Sequence, residues 1–123
     1  QVAKPSDNDK VTMPRYLQVK STAEGLRLIA RQLNVAVVLT AQLNPPMRGE
    51  QPTMALVRES KDVNNAAEVV MILWHEKAEG LGGDTVVTAS WILLDKVRAG
   101  KEGKIKINYR GECYRFEEAE EVF

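Results

Sequence analysis

The sequence predicts an α/β domain, with a mainly parallel sheet, an antiparallel meander at its edge, and helices packed on the sheet. Three observations predict it. Apolar residues recur at helical spacing from about 14 to 33. Two near-continuous runs rich in β-branched and apolar residues follow, over 35–43 and 68–74. A cleanly alternating stretch, "KIKINYR", then lies near the end of the chain. Unbroken apolar runs suit strands covered on both faces, whereas alternation suits a strand with one wet face.

The first twelve residues, "QVAKPSDNDKVT", are polar and carry a proline and an Asp-Asn-Asp cluster, which reads as a surface loop. Thr12 can cap a helix and Pro14 suits its first turn. Val19, Ala23, Leu26, Ala30 and Leu33 then form an apolar stripe, and Asn34 can stop the helix in a left-handed conformation. Gly25 weakens the middle by about 1 kcal/mol relative to alanine. "VAVVLTAQL" (35–43) is expected as a buried parallel strand. The polar segment "NPPMRGEQPTMALVRESKDVNN" carries Arg48, Arg58 and Lys61 and is too long for an idle connection. A second buried strand is expected over 68–74. After the break "AEGLGGD", the stretches "TVVTASWILLDKV", "KIKINYR" and "CYRFEE" read as an antiparallel meander. Tyr109, Tyr114 and Phe116 read as core or sheet-face aromatics.

Composition narrows the function. The chain has 123 residues, enough for one domain over 1–123; it is 44% hydrophobic and 28% charged, as in a globular protein. Lys plus Arg and Asp plus Glu both number 17, so a polyanion has to be held by a local patch rather than by bulk charge. A single cysteine, Cys113, forms no internal disulfide and, with only His75 beside it, builds no zinc site, so a reducing, cytoplasmic setting is expected. No apolar run reaches the roughly 18 residues of a membrane span, and no membrane partner is expected. The chain begins at Gln1 rather than at a methionine, so processing, splitting or trimming is expected.

In open α/β sheets chemistry gathers at the carboxyl ends of strands. Gln42 falls at such an end, Lys96 and Arg98 at another, and Arg58, Glu59 and Lys61 in the long loop. Lys96 and Arg98 are two residues apart, which in an extended strand points both to one side. No phosphate-binding G-x-x-x-x-G-K-[ST] is present, and no Ser-His-Asp set can form around His75, which reads as a surface histidine at a strand end.

"LRLIARQLNVAVVLTAQLN", the "RES" of "LVRESKDVNNAAEVVMIL", and "DKVRAGKEGKIKINYRGECYRF" resemble, in order and spacing, the last third of the ATPase domain of DnaB-type replicative helicases, a RecA-like P-loop family. The resemblance spans about 14–117. It implies that Walker A and Walker B lie upstream of residue 1, in a P-loop half that this chain lacks. The family's K-x-R-x-G motif reads here Lys96-Val97-Arg98-Ala99-Gly100. By resemblance Arg98 is an arginine finger reaching a neighbouring subunit's nucleotide, with Lys96 beside it on the γ-phosphate, and Gln42 is the sensor that ends the family's γ-phosphate strand. The family's R-E-S-G motif reads Arg58-Glu59-Ser60-Lys61. It implies contact with single-stranded DNA in the channel of a ring, with Arg58 and Lys61 toward phosphate and Glu59 orienting the loop. Lys61 replaces the family's usual glycine, adding a cation but removing backbone freedom. Val97 and Ala99 replace the family's frequent glutamine and asparagine. The implied cofactors are ATP and Mg2+, with ligands mainly from the upstream half and the neighbouring subunit. The implied assembly is a homo-hexamer on single-stranded DNA.

The resemblance therefore implies part of an ATP-driven DNA helicase. A RecA- or RadA-like recombinase ATPase and a non-catalytic assembly module derived from such an ATPase stand beside it; retained Gln42, Lys96 and Arg98 speak against a pure scaffold. The isolated chain is expected to bind nucleotide weakly and to hydrolyse none, since it carries no phosphate cradle. Robust ATP turnover by these 123 residues alone would overturn the assignment.

Overall fold

The computed structural model describes residues 14–47, 49–58 and 61–120. The chain divides into two compact units, Gln1–Ala41 with Arg58–Ala67, and Gln42–Val57 with Glu68–Phe123.

In the first unit, helix α1 spans Arg15–Leu33. Pro14 stands at its N-cap in an extended conformation, and its carbonyl accepts the N–H groups of Leu17 (2.9 Å) and Gln18 (3.2 Å). The expected cap, Thr12, lies outside the described residues. Asn34 ends the helix as its spacing predicts, at φ 52° and ψ 49°, and Val35 N–H closes back on Ala30 O at 3.1 Å. Asparagine takes this left-handed position at lower cost than most side chains. Ala23 is buried and Val19, Leu26 and Ala30 are half-buried, as the stripe predicts, but Leu33 is exposed. A second helix, α2, spans Lys61–Ala66 inside the stretch expected as loop, closed by Ala67 N–H to Val63 O at 3.1 Å.

The expected buried strand over 35–43 requires correction. Residues 35–42 form no strand, only Leu43 enters a bridge, and Val35, Val37, Val38 and Leu39 are exposed, Val38 to 82%. A strand needs a neighbour to satisfy its N–H and C=O groups, and no strand among the described residues runs alongside this one.

The second unit is a four-stranded sheet of β1 (Val69–Glu79), β2 (Thr85–Val97), β3 (Gly103–Arg110) and β4 (Arg115–Glu118) in the order β1-β2-β3-β4. Every neighbouring pair is antiparallel, as expected of the meander, and no parallel pair occurs among the described strands, which follow one another through short turns that permit only antiparallel pairing. β1 runs further than expected because its far half pairs with the start of β2. The turn between them closes through Gly80 N–H to Asp84 O at 2.7 Å, with Gly82 and Gly83 at φ 92° and 84°, where a side chain would be strained. Ile72 and Leu93 lie opposite one another and are buried, and Ile107 and Ser90 are buried on the other face. His75 is consequently a mid-strand residue, not the strand-end residue expected. Its Nδ1 lies 2.7 Å from Ser90 Oγ, and its ring packs against Tyr109 and Phe116. Tyr114, expected on the sheet, instead sits exposed in the β3–β4 turn at φ 52°.

β2 carries two extra residues relative to β1. Val70 pairs with Lys96 and Met71 with Leu94, leaving Asp95 as a bulge; Glu76 pairs with Ala89 and Lys77 with Val87, leaving Thr88 as another. Both bulge residues spend their side chains on backbone groups. Thr88 Oγ1 donates to Glu76 O at 3.3 Å, and Asp95 Oδ2 accepts Met54 N–H at 2.6 Å. Met54 opens a single 3-10 turn, Met54–Leu56, in a loop whose ends are joined by the Leu43–Val57 bridge and by Asn44 N–H to Leu56 O at 2.7 Å. Asp95 thus ties this loop to the sheet. A part-buried hydrogen bond to a carboxylate contributes about 1.5–3 kcal/mol. Asp95→Ala is expected to lose stability on that order, read as a lower urea midpoint at unchanged slope, with faster hydrogen exchange at Met54 N–H. Asp95→Asn, which keeps an acceptor, is expected to lose less. An unchanged midpoint in the alanine variant would show that the tie carries no stability.

Candidate functional site

The candidate site is the carboxyl end of β2. Along β1, residues 70, 72 and 74 share one face, and they pair with Lys96, Leu93 and Trp91. Lys96 therefore lies on the face of Leu93 and Trp91, although simple alternation along β2 would put it on the opposite one. The extra residue Asp95 makes the switch. Lys96 is half-buried opposite Val70.

Arg98 stands one residue beyond β2, yet the ladder continues to it. Its N–H donates to Glu68 O at 2.9 Å, and its Nη1 donates to Glu68 Oε1, also at 2.9 Å. Both side chains are well exposed, 41% for Arg98 and 59% for Glu68, so solvent screens the pair. The chain then turns at once, with Gly100 N–H toward Val97 O at 3.4 Å. An exposed turn that follows a strand paired to its very end can present a cation from a defined backbone position. Such a turn suits a group that must meet an anion arriving from outside.

Gln42 is exposed and immediately precedes the Leu43–Val57 bridge, in the loop that Asp95 ties to β2. It ends no regular strand here, because the expected strand is not formed. A neutral amide at this position can still donate to and accept from a phosphate or its attacking water. Lys96, Arg98 and Gln42 thus belong to one unit, anchored on β2. Arg58 and Lys61 belong to the other, both exposed, Lys61 as the first residue of α2. Glu59 and Arg48 lie outside the described residues.

Two residues of the site had no sequence signal. Asp95 matters only because it is the bulge, and alternation within β2 does not reveal which residue is extra. Glu68 matters because the β1–β2 register sets it against Arg98, a pairing 30 residues apart that only the hairpin alignment discloses. Among the described residues, no group of three or more His, Cys, Asp or Glu is placed to hold a metal ion. No described helix is long and apolar enough to cross a membrane.

These features can be set against known proteins. The family model for the DnaB-like helicase C terminal domain matches residues 3–118. The replicative DNA helicase DnaB of Treponema pallidum is 29% identical over 108 residues, covering 88% of this chain and 23% of that protein. The corresponding helicase of Leifsonia xyli is 30% identical over 105 residues, covering 83% and 23%. The chain spans about a quarter of the length of these curated relatives. A solved DnaB-like replicative helicase, described with its interactions with primase, shares the fold at a TM-score of 0.75 and 22% identity, over 90% of this chain and 27% of that one. The match to the family model takes in the β2 end with Lys96 and Arg98, the loop with Gln42 and the Arg58–Lys61 segment, and the chain belongs to the DnaB-like helicase C-terminal domain family.

Proposed function

We propose that this chain is the C-terminal segment of a ring-shaped ATPase that couples ATP hydrolysis to movement along single-stranded DNA and to duplex unwinding. The observation that carries the reading is the carboxyl end of β2, where Lys96 closes the strand and Arg98 opens the turn toward β3, in a chain of this family. In the reaction, a water oxygen bonds to the γ-phosphorus while the bond to the β–γ bridging oxygen breaks. The electron pair leaves with ADP, and the water's proton passes to phosphate or solvent. Charge spreads over the γ-phosphoryl oxygens at the transition state, and cations fixed nearby lower its energy. Arg98 acts on the nucleotide of the neighbouring subunit, Lys96 assists it on the γ-phosphate, and Gln42 hydrogen-bonds the γ-phosphate or the attacking water. Mg2+ would add Lewis-acid charge neutralisation. In this reading its ligands come mainly from the upstream P-loop half and from the neighbouring subunit.

The same reading accounts for the exposed run Val35–Leu39, by which we assign 35–42 to a strand of the RecA-like parallel sheet once an upstream segment supplies its neighbour. A homo-hexamer is the assembly in which each Arg98 meets another subunit's nucleotide.

Two outcomes test the reading in the hexamer that contains this chain. Arg98→Ala is expected to lower kcat for ATP by about 10³ to 10⁵ while nucleotide affinity changes little. Mixing such subunits with subunits whose own nucleotide site is disabled is expected to restore part of the turnover, because both lesions then meet at one kind of interface and leave the other kind intact. No recovery on mixing would show that Arg98 acts within its own subunit. For DNA, each phosphate contact on a single strand contributes about 0.7 to the slope of log affinity against log salt. Arg58→Ala with Lys61→Ala is expected to flatten that slope by about 1.4 and to weaken binding to all sequences alike. An unchanged slope would place DNA elsewhere.

A further inference from the structure

The hairpin geometry points to Glu68 as a positioning residue for Arg98, an inference that rests on Arg98 acting in trans as proposed above. Val69 pairs with Val97, so the ladder's next step sets Glu68 against Arg98. Glu68 then engages Arg98 twice, through its main-chain carbonyl and through its carboxylate, each at 2.9 Å. The first contact fixes where the Arg98 backbone lies beyond the last residue of β2. The second restricts where the long side chain points.

An arginine side chain has many rotamers, and a finger that sweeps solvent loses that freedom on meeting phosphate. A partner that narrows the rotamers beforehand removes part of the loss from the reaction step. The strength of the pair suits this task. With both side chains exposed, solvent screens it to a weak interaction, enough to bias the guanidinium and too little to withhold it from a phosphate. A guanidinium carries five N–H donors, so a carboxylate at Nη1 and a phosphate oxygen can be bound at once. Glu68 therefore orients Arg98 without having to be expelled, and its removal slows the chemistry rather than releasing it.

The test is a mutant cycle in the hexamer. Glu68→Ala is expected to lower kcat about 3- to 5-fold, with KM for ATP within about 2-fold, the size of effect an exposed pair can supply. In an Arg98→Ala background the same change is expected to have no further effect, since Glu68 then has nothing to aim. Affinity for ADP with aluminium fluoride, which occupies the γ-phosphoryl position, is expected to fall by the same factor while affinity for ADP alone holds. Glu68→Gln keeps the size and an acceptor and is expected to recover most of kcat. It also serves where the alanine variant does not assemble, its own smaller loss again vanishing beside Arg98→Ala. Equal losses with and without Arg98 would make Glu68 a structural residue and overturn the inference. So would full kcat in Glu68→Ala beside a crippled Arg98→Ala. If Arg98→Ala itself leaves kcat unchanged, the arginine-finger reading fails first, and the role of Glu68 falls with it.

Discussion

The pairing of β1 with β2, and above all the bulge at Asp95 within it, is the constraint on which the rest of the second unit depends. Register in a sheet is unforgiving: a shift of one residue carries every following side chain to the other face. Here β2 makes that shift twice, early at Thr88 and late at Asp95, each time with a polar residue. Before Asp95, the face shared with Ile72 and Trp74 receives Leu93 and Trp91 and seals part of the core. After it, that same face receives Lys96, and the strand runs on to Arg98. One strand thus serves as core wall along its length and as a cation-bearing tip at its end. The carboxylate of the bulge residue also anchors the Gln42–Val57 loop through Met54 N–H. Three features of the candidate site therefore hang on one irregularity.

The two sheet faces carry different chemistry, and the difference also follows from register. On one face His75, Ser90, Tyr109 and Phe116 form a contiguous cluster across all four strands, in which the hydroxyl of buried Ser90 is satisfied by the imidazole. On the other, Trp91 donates its N–H to Glu76 Oε2 at 2.8 Å, with Lys104 and Lys106 over its ring at 4.4 and 5.9 Å. These lysines stand opposite Leu93 and Trp91 on β3, so their stems can cover apolar surface while the ammonium groups stay near water. An alternating Lys-Ile-Lys-Ile strand satisfies both faces at once, which explains why "KIKINY" was the most legible element of the sequence.

Legibility followed locality. The helix and its Asn34 stop rest on interactions a few residues apart, and the long β2 and the meander on alternation and turn residues within each segment, and the sequence pattern predicted them closely. The run over 35–43 failed because its β-branched composition reports a preference for burial, not the presence of a neighbour. The structure leaves those side chains exposed, with no adjacent strand among the described residues. Tyr114 failed for a related reason: an aromatic between two strands looks like a strand residue until the four-residue turn claims it at positive φ. At the site, Lys96, Arg98 and Gln42 were legible as types at strand ends and through their resemblance to a family. Asp95 and Glu68 were not, because a bulge and a cross-strand partner are properties of the pairing between two segments.

The even balance of charge in the chain also acquires a physical meaning. With 17 cations and 17 anions, the molecule has no bulk field with which to gather a polyanion. Its carboxylates instead sit where they organise individual cations: Glu68 against Arg98, and Glu117 shared by Arg110 and Arg115. Exposed pairs of this kind contribute little to folding, so their effect lies in side-chain direction more than in stability. In the proposed ring, a cation held in this way can exchange water for a neighbour's phosphate at small energetic cost. It can also return when the phosphate leaves. A strongly basic surface would bind the nucleotide or the DNA more tightly and release it more slowly, which is the wrong property for a machine that must repeat both steps. In that proposed ring, cations guided one at a time by exposed carboxylates would combine a hold on phosphate with ready release.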